Sequence, residues 1–420
     1  MNLIVRNATI IDSGGKFHKK VVDLHLSDGL IQKIGTNLQN DKRYDEMTLD
    51  NLHISEGWFD SSVSFGEPGF EDRETIVNGL DVAAKSGFAA VALQPHSYPV
   101  IDNQSHVNLV KSRGANSATS LFPIGALTKK SEGNDLAELF DMKNAGAVAF
   151  GDYNKNIDNA NLMKIALQYV QDFDGLVIAF SEDTALKGSG VANEGTSAIT
   201  LGLKGIPALA EELQVARNLF MLEYTGGKLH IPTISTAGSV QLIQQAKSKG
   251  LDVSCSVSVH HLVMTDELLR GFDTRYKVTP PLRSDADRKA LVKGVQDGII
   301  DMVTSDHNPL DIEHKKMEFD RASDGTLGLE SAFGALCNIL PLEKVIQMLT
   351  AGKKRFGIAS VGIAEGSSAS LSFFDPDQKY LFSKSDILSK SKNSAFIGVE
   401  MKGRAYGIYN QNKLVLRNNE

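Results

Sequence analysis

The chain has 420 residues, 42% of them hydrophobic, with a formal net charge of -7 and an isoelectric point near 5.8. That length allows a large core and, at roughly 150 residues per domain, two or three units. Mild acidity and no basic run longer than Lys353 to Arg355 exclude an electrostatic footprint for nucleic acid or an anionic membrane.

No apolar run approaches the ~20 residues of a membrane span, and the first residues do not read as a secretory leader, so a cytoplasmic location is expected. Cys255 and Cys337 are two thiols in a long chain. They make no disulfide framework and read as small buried hydrophobes.

In chain order, the first predicted elements are short alternating runs, Leu3 to Ile11 and Val21 to Leu26, parted by turn signals at Ser13 to Gly15 and Ser27 to Gly29. From Trp58 the pattern changes to apolar strands alternating with helical stretches, the grammar of βα units and a parallel sheet. Strands are expected at Trp58, Ala89 to Leu93, Ser120 to Ile124, Ala147 to Phe150, Leu176 to Ala179, Lys228 to Ile231, Asp252 to Val257 and Ile299 to Thr304. Helices are expected between them, among them Thr75 to Lys85, Asn161 to Gln171, Pro207 to Leu222 and Val240 to Lys249. The segment from Asp311 to Asp324 is the most polar long connection and reads as a solvated surface loop.

After about Gly366 the β pattern returns in Leu371 to Phe374, Ala395 to Met401 and Tyr406 to Tyr409, with a turn signal at Asp375 and Pro376. Eight βα units fit a (β/α)8 TIM-type barrel, and β pieces at both ends suggest one small composite β-sandwich. The expected division is residues 1–55, 56–362 and 363–420, the outer two building the sandwich.

The stretch from Trp58 to Gly69, WFDSSVSFGEPG, carries the most information. It resembles the D-x-H-x-H-x-R-E-P-G motif of the dihydroorotases, cyclic amidohydrolases of the longer barrel-plus-sandwich type. The likeness continues through Asn193 to Gly195, Gly205 to Pro207, Glu211 to Arg217, Thr225 to His230, Pro280 to Arg283, Thr304 to His307 and Gly325 to Glu330, in the family's order. Any one of these matches is weak, and their order is what makes the resemblance specific.

The resemblance implies hydrolysis or closure of a cyclic amide, interconverting dihydroorotate and carbamoyl aspartate. That chemistry needs a cationic centre to make hydroxide from water and a carboxylate to move the proton. The family's ligand set is four histidines and two aspartates at the carboxyl ends of barrel strands. In this chain Ser62 and Ser64 stand at the first pair, Phe180 after the fifth strand and Thr233 after the sixth, while Asp152 and Asp306 remain. Hydroxyl and phenyl groups are not normal zinc ligands, so no metal is expected, and Asp306 is a vestigial proton shuttle. Gly66 replaces the arginine that grips the substrate carboxylate, and His96 replaces an asparagine that helps it.

His96 and His260 could join Asp152 and Asp306 in a rearranged site at one barrel mouth, although spacing gives this no support; His261 and His307 follow strands too, and His230 is expected to pack within its strand. Ser62, Ser64 and Ser181 have no nucleophile elbow around them. The reading is a dihydroorotase-like, non-catalytic protein of pyrimidine biosynthesis, a homo-oligomer partnered by a protein such as aspartate carbamoyltransferase. The alternative is a working dihydroorotase or related cyclic amidohydrolase, allantoinase or hydantoinase included, with a remodelled site and zinc.

Overall fold

Residues 1–417 are described in the computed structural model of the chain. The alternating runs at its start form β1 (Asn2–Ile11), β2 (Val21–Ser27), β3 (Leu30–Gly35), β4 (Asp45–Met47) and β5 (His53–Glu56). Asp28 and Gly29 both take positive φ, 53° and 76°, as a two-residue hairpin turn between right-twisted strands requires.

The barrel strands follow as β6 (Trp58–Val63), β7 (Phe88–Leu93), β8 (Ser120–Gly125), β9 (Ala149–Phe150) and β10 (Leu176–Ile178). A short two-stranded ribbon, β11 (Ala192–Asn193) and β12 (Gly205–Ile206), precedes β13 (Lys228–Ile231), β14 (Val253–Ser258) and β15 (Met302–Thr304). The eight barrel strands pair in parallel in the order β15-β14-β13-β10-β9-β8-β7-β6. A parallel bridge between Val63 and His307 closes the ring, with Ser64 N–H donating to the His307 carbonyl at 2.8 Å. This closure sets the ends of β6 and β15 side by side, and with them Ser62 and Asp306.

The helices lie where the 3.6-residue periodicity put them. Thr75 caps helix Ile76–Lys85 by accepting from Asn78 N–H. The expected helix at Asn161 to Gln171 is Ala160–Tyr169 followed by a 3-10 turn to Phe173, and the later two are Ala208–Thr225 and Ala237–Ser248. No helix among the described residues is long and apolar enough to cross a membrane.

β16 (Leu371–Leu381), β17 (Glu400–Asn410) and β18 (Lys413–Leu416) extend the sheet begun at the other end of the chain, because β16 runs antiparallel to β5 with Phe373 opposite Ile54. The two termini thus share one hydrophobic cluster, Leu3, Val5, Ile10, Leu24, Ile54 and Phe373 among its members. Trp58 anchors that sheet to the barrel: it is fully buried, stacks on Phe333 at 4.7 Å and donates its indole N–H to Ser55 Oγ.

Two expectations are corrected. Ala395 to Val399 is not strand; β17 starts at Glu400 and absorbs the separate strand expected at Tyr406 to Tyr409. Asp375 and Pro376 do not end a strand but lie inside β16, where the register against β17 slips between Asp375 and Lys379, an irregularity that accommodates a residue without an N–H. The connection from Asp311 to Asp324 is a surface loop as expected, and it is also tied to the barrel, since the buried Lys315 ammonium donates to the carbonyls of Thr274, Lys277 and Ser323 at 2.8 to 3.0 Å. Lys277 in turn donates to the Asp320 carbonyl.

Candidate functional site

The carboxyl ends of the barrel strands, where this fold places its chemistry, gather most of the expected positions. Ser62 lies near the end of β6, buried, with its hydroxyl donating to Asp306 Oδ1 at 3.3 Å and accepting from the Gln94 amide at 3.1 Å. Its backbone N–H donates to Asp60 Oδ1 at 3.0 Å. Asp60 is fully buried and also takes the Thr304 hydroxyl and the Ser305 N–H. Burial pushes its carboxyl above the usual range. The same burial, with the Asp60 charge nearby, lifts the Asp306 carboxyl to about 7. Asp306 sits at φ 49°, a left-handed backbone that turns the chain immediately after β15.

Asp152 is turned to a different task. Its Oδ1 accepts the N–H groups of Leu127 and Thr128 at 2.9 and 3.0 Å, and Oδ2 accepts the Thr128 hydroxyl. The carboxylate ties down the loop after β8. Phe180 and Thr233 are buried after β10 and β13; Phe180 has no side-chain donor atom, and Thr233 is held at φ 47° with its N–H on Ser256 Oγ. Ser64 is buried and contributes its N–H to the barrel closure.

A zinc ion does not fit these residues. Ser62 is committed to Gln94 and Asp306, Asp152 to Leu127 and Thr128, and among the described residues no group of three or more His, Cys, Asp or Glu side chains gathers around one point. The rearranged site is therefore not assembled: His96, His260, Asp152 and Asp306 do not converge.

His260 and His261 belong instead to a buried relay. His261 Nε2 faces the carbonyls of Pro280 and Pro281 at 3.1 and 3.2 Å, so it carries the proton, and Nδ1 accepts from Ser258 Oγ at 2.6 Å. Ser258 then accepts from His260 Nε2 at 2.9 Å. Burial, then the charge of Arg283, lowers His261 to about 4 despite those carbonyls, which keeps it neutral. His230 packs within its strand as expected, between Ser254 and Ser256. His307 takes the N–H groups of Gly328 and Leu329 on Nδ1.

The mouth keeps a cavity of about 360 Å³, lined by His96, Asp152, Tyr153, Lys155, Asn308 and Asp324. A larger one, about 610 Å³, is lined by Asn193, Asp266, Arg270 and their neighbours and contains none of the expected site residues. His96 is exposed at the rim, ring to ring with Phe70 at 6.2 Å and Tyr153 at 5.5 Å, and Arg73 lies over Phe70 at 4.4 Å. At φ 94° a Cβ on Gly66 would lie 2.7 Å from the Phe70 carbonyl oxygen, so this loop conformation favours glycine. Asp60, Gln94, Tyr153 and Lys155 were not singled out from the sequence; Asp60 alone left a signal, as the first letter of the opening motif.

The family model described as dihydro-orotase-like matches residues 53–239. The dihydroorotase of Pelotomaculum thermopropionicum is 40% identical over 411 residues, covering 96% of each chain. The chain belongs to the dihydroorotase family. A second dihydroorotase, from a Thermoanaerobacter species, is 37% identical over 96% of this chain and 94% of that one. Among solved structures, L-hydantoinase from Arthrobacter aurescens superposes with a TM-score of 0.87 at 21% identity, over 100% of this chain and 97% of that one. D-hydantoinase from Thermus sp. gives 0.81 at 20% identity over 100% and 96%. At those identities the structural likeness establishes the barrel and its companion sheet domain. This dihydroorotase-family chain therefore carries the barrel and companion sheet of its structural neighbours.

Proposed function

We propose that this chain is a non-catalytic dihydroorotase homologue, cytoplasmic, serving pyrimidine biosynthesis as a structural or regulatory partner. Aspartate carbamoyltransferase is the partner that the family resemblance implies. One observation carries the loss of catalysis: the two surviving carboxylates are already engaged, Asp152 by Leu127 and Thr128 and Asp306 by Ser62, and no imidazole joins them. Without such donors no ion is held tightly enough to turn water into hydroxide near neutral pH.

The test measures metal and turnover on the same preparation. The purified protein should hold well under one equivalent of zinc and hydrolyse dihydroorotate no faster than background. Stoichiometric zinc with turnover that disappears in Asp306→Ala would overturn the reading. For the partner role, the chain should co-purify with a carbamoyltransferase, and a clean failure to associate at micromolar concentrations would count against it.

A second reading, a working cyclic amidohydrolase with a remodelled site, is favoured by one feature. Asp306, lifted to about 7, is poised to accept and return a proton at neutral pH, close to a cavity of ligand size.

A further inference from the structure

The larger cavity, about 610 Å³, shares no lining residue with the one at the mouth. Its walls come from three parts of the chain: the turn after β11 with the short helix Thr196–Leu201, the 3-10 stretch Asp266–Gly271, and the start of helix Asp285–Gln296. Five carboxylates line it, those of Glu194, Asp266, Glu267, Asp285 and Asp287, against one guanidinium, Arg270.

Three of these acids are already answered. Asp285 pairs with Arg288 and Lys289, Glu267 lies 3.8 Å from Arg270, and Asp287 accepts the Ser284 hydroxyl and the Ala237 N–H. Asp266 is different. It is only 7% exposed, yet its Oδ1 has no hydrogen-bond partner among the described residues. Its Oδ2 accepts from the Asn193 amide at 2.9 Å, and its N–H donates to the Arg283 carbonyl at 3.0 Å. Asn193 is fixed from behind in turn, because the buried Arg283 guanidinium donates to its Oδ1 at 3.1 Å and to the Ile206 carbonyl and Ser235 Oγ. A carboxylate held this firmly out of water, with one oxygen still open, is completed by a cationic donor, since burying an unpaired charge is costly.

We propose that this cavity binds an aliphatic diamine or polyamine, with one primary ammonium on Asp266 Oδ1 and a second cationic end at Glu194. Glu194 is exposed at the rim, and its carboxylate has no ion-pair partner among the described residues. A divalent metal is a poorer match. It needs a shell of several oxygens around one point, and no such group of acids gathers among the described residues. An ammonium has three N–H donors, which Asp266 and the nearby hydroxyls of Thr196 and Ser197 can share. Arg270 does not fill the place, being drawn to Glu267 at the exposed edge. The proposal goes beyond the catalytic question and stands whichever way that is decided.

Calorimetric titration of the full chain with spermidine and with putrescine should show saturable binding to one site. Asp266→Asn keeps an acceptor for Asn193 while removing the charge, and should weaken binding by at least ~10-fold, the worth of a charge-assisted hydrogen bond. Glu194→Gln, at an exposed position, should weaken it by about 2- to 5-fold. Ser197→Lys, which supplies an ammonium from the wall itself, should block it. Asp41→Asn, an exposed acid of the sheet domain, should change nothing. If Asp266→Asn fails to fold, the Glu194 and Ser197 variants still decide the matter. No saturable binding at millimolar amine, an affinity untouched by Glu194→Gln and Ser197→Lys, or displacement of spermidine by equimolar magnesium would each overturn the proposal.

Discussion

Ser62 Oγ donates to Asp306 Oδ1 at 3.3 Å, joining the ends of β6 and β15 at the point where the barrel closes. The same serine donates its backbone N–H to Asp60, so one residue bridges two buried carboxyls. This pair governs the first prediction.

Asp306 should make the protein less stable as pH rises. Its carboxyl stands at about 7 in the fold against an ordinary 3.8. Between about pH 4 and pH 7 the folded chain holds a proton that the unfolded chain releases, so stability falls across that window and levels off above it. Asp306→Asn should match the parent at pH 4 and exceed it at pH 8 by about 1–4 kcal/mol, measured by urea unfolding at both values. A variant less stable than the parent at pH 8 would refute this.

Asp152 should matter for the loop after β8 rather than for metal. Asp152→Ala leaves Leu127 N–H, Thr128 N–H and the Thr128 hydroxyl without their acceptor. The cost should be about 2–4 kcal/mol, read as a lower urea midpoint, with zinc content unchanged.

Glu211 and Arg283 form a buried hub outside the mouth. Glu211 accepts the N–H groups of Ser235 and Thr236 and the hydroxyl of Ser239, while Arg283 donates to Ser235, Asn193 and the Ile206 carbonyl, its Nη2 lying 3.9 Å from Glu211. Glu211→Ala or Arg283→Met alone should cost about 3–5 kcal/mol by stranding a buried charge. The double variant should cost less than the sum, and strict additivity in denaturation experiments would show that the two act independently.

Restoring histidine at Ser62, Ser64, Phe180 and Thr233 together should create measurable zinc binding where the parent has none, since imidazole nitrogens are the donors a zinc ion takes. Calorimetric titration of the folded quadruple variant gives the answer. A folded variant with no affinity would mean the four positions do not converge as the motif alignment has it. Adding Gly66→Arg to that variant should lower its melting temperature, because a Cβ there would crowd the Phe70 carbonyl oxygen at 2.7 Å and the backbone sits at φ 94°.

Much of the architecture was legible because it rests on periodicity. Apolar runs marked β7, β8, β13 and β14 within a residue or two of their ends, and three- and four-residue apolar spacing marked the helix that Thr75 caps. The errors fell where local signals mislead. Pro376 looked like a terminator and is carried inside β16, and Lys315, in a segment rightly read as a surface loop, gave no sign of being a buried anchor. Asp152 was visible as a surviving acid but not as one occupied by a loop remote from it in sequence.

The residues along the chain determined which groups stand after the barrel strands at the positions singled out: the carboxylates of Asp152 and Asp306, the hydroxyls of Ser62, Ser64 and Thr233, and the Phe180 ring. The fold decided what those atoms do. Hydrogen bonding and ionisation depend on distance and on exclusion of water, and both arise only when β6 and β15 meet. So the identity of those groups can be read from letters, whereas a carboxyl lifted to about 7 exists only in three dimensions.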